Sequence, residues 1–152
     1  MTDCIRHLLL AATLAALPRL TVAQARHEGV YVLLAIDSLK PPAFRHGLIP
    51  GEGTSIDAMS LELERHGRLR GSVVLTTTDS GSITDTIAAV GSWTVHGDSL
   101  VLDYSWSYRH SSSTGEARDA GLIAPTGISL GQFAGIGPRF FWPGVTLHFH
   151  RL

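Results

Sequence analysis

Five aromatic side chains and two histidines are the residues whose spacing most invites chemistry. Tyr104, Trp106 and Tyr108 alternate with Asp103, Ser105, Ser107 and Arg109, so an extended strand sends all three rings to one face. Trp93 falls on the apolar parity of the preceding segment, and Tyr31 belongs to an apolar run near the start of the chain. Rings gathered on an inner face can line a cavity, with hydroxyl and indole N–H groups to orient an apolar ligand. The same rings can equally fill a small core and leave no room for one. His148 and His150 are two residues apart on an extended segment, so their imidazoles point the same way, about 7 Å apart by strand rise. Paired imidazoles can begin a zinc or copper site, with His27, Glu28 or Asp37 as third ligand. Val145, Leu147 and Phe149 hold the opposite parity, which places both histidines on the solvent side.

Other chemistry has little to build on. The chain has no H-E-x-x-H, no G-x-S-x-G elbow and no phosphate-binding loop, so no catalytic residue and no cofactor is assigned. Its one cysteine, Cys4, precedes the apolar run of a targeting segment. Glu62 and Glu64 share the polar parity of their strand and read as a solvated face. His66 and His96 each stand beside a turn glycine. Lysine occurs only at Lys40 and the arginines are scattered, so no basic run is available to follow a phosphate backbone, and nucleic acid is not an expected partner.

Residues 1–25 have the make-up of a secretory signal peptide. Arg6 precedes an apolar stretch from Leu8 to Leu17, Pro18 breaks it, and Ala23-Gln24-Ala25 offers small residues for cleavage. The stretch is about half the length that spans a bilayer. The expected product is an exported protein, periplasmic or extracellular, with no membrane span and residues 26–152 as one domain. Without Cys4 that domain has no disulfide and no thiolate, so apolar burial and a closed hydrogen-bond network must stabilise it. Removing Asp3, Arg6 and Arg19 from 13 acidic and 12 basic residues leaves a small acidic excess.

The elements that would position the rings are β-strands. Met59, Leu61 and Leu63 alternate with Ser60, Glu62 and Glu64, and Arg65-His66-Gly67-Arg68 turns the chain into Leu69 to Leu75. Asp79-Ser80-Gly81 is the next turn. Ile83, Ile87, Ala89, Trp93 and Val95 then share a parity, with Asp85 as its one charged member, at a strand end or at a slip of register. Gly91 marks a bulge or bend. His96-Gly97-Asp98 turns into the aromatic strand, and weaker strands follow over 116–123 and 127–130. Residues 131–144 read as irregular, 145–151 as a last strand, 29–36 as a first one apolar on both parities, and 43–57 as a loop with a short helical turn near Ser55. Sequential strands joined by tight turns favour an up-and-down antiparallel meander closed as an eight-stranded barrel, with an open sandwich as the alternative.

Gly29 to Leu33 with Pro41-Pro42, Leu61-Glu62-Leu63 with the His66-Gly67 turn, and Gly91-Ser92-Trp93 followed by His96-Gly97-Asp98 and Leu100-Val101-Leu102 together resemble the small bacterial lipocalin-like domains. The resemblance covers most of residues 29–104 and returns at 147–151. It implies a barrel whose apolar interior holds a ligand. Tyr31 stands where lipocalins carry a tryptophan, with Arg151 as the partner that would pack on it.

Three roles follow. The first is a carrier of a small apolar molecule lined by Tyr31, Trp93, Tyr104, Trp106 and Tyr108. The second is a packed structural domain that meets a protein partner through Phe140, Phe141 and Trp142. The third is a metal-binding domain centred on His148 and His150.

Overall fold

The computed structural model describes residues 25–46, 53–78, 81–133 and 146–152, with the side chains of 43–46 left aside. The expected targeting segment (apart from Ala25) and the expected contact residues Phe140, Phe141 and Trp142 therefore lie outside the described residues. Among the described residues nine strands follow in chain order: β1 Gly29–Ile36, β2 Ala43–His46, β3 Gly53–Glu64, β4 Arg68–Thr78, β5 Ser82–His96, β6 Ser99–Tyr108, β7 Thr114–Ala124, β8 Gly127–Leu130 and β9 Leu147–Arg151. From β3 to β9 each strand pairs antiparallel with the next. β1 then pairs with β9 on one side and with β3 on the other, closing an eight-stranded barrel. β2 lies outside this circuit, on the first half of β3 that β1 leaves unpaired. The closed meander replaces the open sandwich. Among the described residues no helix is long and apolar enough to cross a membrane.

Turn chemistry accounts for the hairpins. His66 and Gly67 both take positive φ, at 60° and 71°, reversing β3 into β4 within a single 3-10 turn. Gly97 does the same between β5 and β6, at φ 63°. Two sequence expectations need correcting. Residues 43–46 and 53–57 are strand rather than loop with a helical turn, because Ala43 to His46 pair with Ile56 to Gly53, Thr54, Ser55 and Ile56 pair in turn with Thr77, Thr76 and Leu75, and Asp57 is accommodated by a bulge. Gly91 makes no bulge, since β5 stays in unbroken register with β4 and β6 through it. A side chain there would meet β6: a Cβ on Gly91 would stand 2.1 Å from the Asp103 carbonyl oxygen and 2.6 Å from Tyr104 Cα. Asp85 involves no slip of register either. It pairs opposite Leu75 and lies beyond the last β5–β6 pair, Ile87 with Tyr108, at the barrel's end.

The inward parity of each strand supplies one continuous core. Leu61, Leu63, Leu69, Val73, Ile87, Trp93, Leu100, Leu102, Ile128 and Leu130 are almost wholly buried. The outer face of β1 is only partly covered, with Val30 and Leu34 exposed, so its two apolar parities reflect its position at the closure rather than cover on both faces. Glu64 on the outer face receives both Arg68 and Arg70 at 2.8 Å. Pairs this exposed add little to stability.

Candidate functional site

The aromatic residues divide into two groups by depth. Tyr31 is fully buried and its hydroxyl donates to the His27 carbonyl at 2.8 Å. Burial pushes its phenol above the usual range, against the pull of Arg151. Arg151 is its direct partner across the β1–β9 pairing. The Arg151 guanidinium lies against Gly29 and donates to the carbonyls of Arg26, at 2.9 Å, and Glu28. The turn that leads into β1 is thereby tied to the last strand. Beside it, burial and the charges of Arg151 and Arg26 push the His27 imidazole below its ordinary value, with Asp98 opposing. Trp93 is equally sealed, its indole Nε1 donating to the Glu64 carbonyl at 3.0 Å.

Tyr104 belongs to this inner group. Its ring stacks on Phe133 with centroids 4.6 Å apart and planes 10° from parallel. Phe133 is buried and reaches across to β4, where Gly71 has no side chain to obstruct it. The Tyr104 hydroxyl donates to the carboxylate of Asp119 at 2.5 Å, and Gln132 Nε2 donates to the other oxygen at 3.3 Å. Asp119 is buried inside the barrel, opposite Leu102 in the β6–β7 register. Sequence reasoning missed both Phe133 and Asp119. Phe133 falls just past β8 in a segment without periodicity. Asp119 had a visible signal: it shares the parity of Gly115, Ala117, Gly121 and Ile123, and a buried tyrosine hydroxyl needs an acceptor.

Trp106 and Tyr108 form the second group, further along β6 and only half-buried. Their rings meet edge to face, with centroids 5.8 Å apart and planes at 77°. The Trp106 indole lies over Gly115, where a Cβ would stand 2.6 Å from Cζ2 and 2.8 Å from Cε2. Gly115→Ala should therefore swing the Trp106 ring away at a cost of about 1–3 kcal/mol. In 19F spectra of fluorotryptophan-labelled protein, the Trp106 resonance should shift while that of Trp93 stays in place.

Asp85 and His110 stand at the same end. Asp85 is the next inward residue on β5 after Ile87, the partner of Tyr108. Its Oδ1 accepts from the Thr86 amide at 2.7 Å, the His110 amide at 3.1 Å and His110 Nδ1 at 3.1 Å. Burial alone would raise its pKa, but the donors on Oδ1 outweigh it and hold the carboxyl below the usual range.

The histidines of β9 face outward, alternating with buried Leu147 and Phe149. His148 Nδ1 lies 3.3 Å from the Ser129 hydroxyl on β8, and His150 is exposed. Of their possible third ligands, Asp37 accepts from the Thr146 amide at 2.8 Å and Glu28 lies 3.6 Å from Arg65. Among the described residues no three His, Cys, Asp or Glu side chains gather as a metal would require. A shallow trough runs between Val90, Ser105, Ser107 and Glu116 and reaches Trp106 and Gly115.

No family model matches the chain, and neither a curated protein nor a solved structure matches it.

Proposed function

We propose that this chain is an exported, lipocalin-like binding domain that takes a small apolar ligand at the barrel end carrying Trp106 and Tyr108. The observation that carries the reading is the contrast in depth along β6. Tyr104 is sealed beneath Phe133, while the Trp106–Tyr108 pair on the same face remains half-exposed. Large aromatic rings left partly bare at the rim of a closed core gain free energy when a second apolar surface covers them. Tyr31, Trp93 and Tyr104 then serve as the floor rather than as direct contacts. Export rests on the charge, apolar run and small-residue site of residues 1–25.

The test is a titration with N-phenyl-1-naphthylamine, a neutral apolar fluorophore. The intact domain should bind it, and Trp106→Ala should weaken binding about tenfold or more, the loss expected for one large ring contact. Absence of binding, or equal binding by the variant, would overturn the reading. The second reading, a packed domain that engages a protein, draws on the Phe133–Tyr104 stack inside the barrel. It gains if the fluorophore does not bind.

A further inference from the structure

The polar groups beside the aromatic rim are of one chemical kind. Asp85 Oδ1 is occupied by the Thr86 amide and by both nitrogens that His110 directs at it. Asp85 Oδ2 has no hydrogen-bond partner among the described residues, and the side chain is 19% exposed. His110 turns Nδ1 to the carboxylate, so that nitrogen donates to Oδ1. The His110 ring is 62% exposed and leaves Oδ2 uncovered. The nearest arginine in sequence, Arg109, follows Tyr108 on the opposite parity and is exposed. The rim thus presents one uncovered anionic oxygen next to ring faces that attract cations.

We infer that the ligand's polar end is a cationic amine, with its ammonium donating to Asp85 Oδ2 and its apolar part lying on Trp106 and Tyr108. This rests on the rim being the ligand site. An ammonium supplies three donors and the compensating charge. An alcohol of the same length supplies one donor and no charge. A carboxylate brings like charge to Asp85 and no donor.

Displacement of bound N-phenyl-1-naphthylamine by decylamine, decanol and decanoate, identical in alkyl chain, reads this directly. Decylamine should displace about tenfold more tightly than decanol, and decanoate most weakly, as one charge-assisted contact at a partly exposed site implies. Asp85→Asn keeps an oxygen for the amides that cap it and should bring decylamine to the level of decanol. Asp85→Glu should restore part of the preference. Circular dichroism establishes that each variant is folded. If all three compounds displace equally, or if Asp85→Asn retains the amine preference, the inference fails while the rim remains a ligand site. If the fluorophore and the three compounds all fail to bind, the inference and the reading beneath it fall together.

Discussion

Trp93→Ala should cost the barrel about 3–5 kcal/mol, the range for deleting a fully buried aromatic. The indole is 1% exposed and sits across from Leu102 on β6, so the vacated volume is walled by strands whose pairings prevent them from closing in. Its Nε1 also satisfies the Glu64 carbonyl at the point where β3 ends. The loss is a large fraction of the 5–15 kcal/mol that typically separates folded from unfolded domains. Urea unfolding followed by circular dichroism should show the midpoint moving down by roughly 1–5 M, given slopes of about 1–3 kcal/mol/M. Trp93→Phe should fall by less, because a six-membered ring still fills part of the volume, although the hydrogen bond and the rest of the indole are lost. A midpoint within error of the parent in Trp93→Ala would mean that the indole is not the packed centre described above.

Gly91→Ala should be as damaging, although it adds one methyl group and removes nothing. That methyl would stand only 2.1 Å from the Asp103 carbonyl oxygen and 2.6 Å from Tyr104 Cα. Both are backbone atoms in the middle of an unbroken pairing, so no rotamer change relieves the clash. The β5–β6 ladder must open instead, at a cost of about 3 kcal/mol or more, beyond ordinary overpacking of side chains. Amide hydrogen exchange should show protection falling along Ala89 to Trp93 and Leu102 to Trp106 before it falls elsewhere. Gly97→Ala, whose added Cβ meets nothing within 4 Å, serves as the comparison. Its only penalty is the positive φ, on the order of 1 kcal/mol.

These two glycines illustrate what could be read from the sequence. Alternation in Leu100 to Tyr108 and in Met59 to Glu64 declared the strands and their faces, since period two is a local property. Gly97 was legible as a turn for the same reason. Gly91 was not, because the need for a missing side chain there arises from β6, and only the register reveals it. Depth was invisible as well. Tyr104, Trp106 and Tyr108 share a parity, yet the first is sealed by Phe133 and the other two are half-exposed. Phe133 comes from a segment without periodicity. Ser55 and Ile56 read as loop because Gly and Pro crowd the preceding stretch, whereas their strand state follows from pairing with Leu75 and Thr76. Of the rim groups, Asp85 stood out as a charge on an apolar face. His110 became its partner only when the chain folded back after β6.

Barrel closure also governs the order in which the molecule can assemble. The pairings from β3 to β6 join neighbours through short turns and can form as soon as each hairpin exists. The second half of β1 must wait, since its partner is β9, and Arg151 reaches back 125 residues to the Arg26 carbonyl. Non-local pairing of this kind slows folding. Until β9 arrives, Leu33 to Ile36 lack their ladder partner, because β3 pairs only with Gly29 to Val32. An apolar strand waiting with a bare edge is a nucleus for aggregation. The first strand is thus the stretch a holding chaperone would most need to cover until the barrel closes.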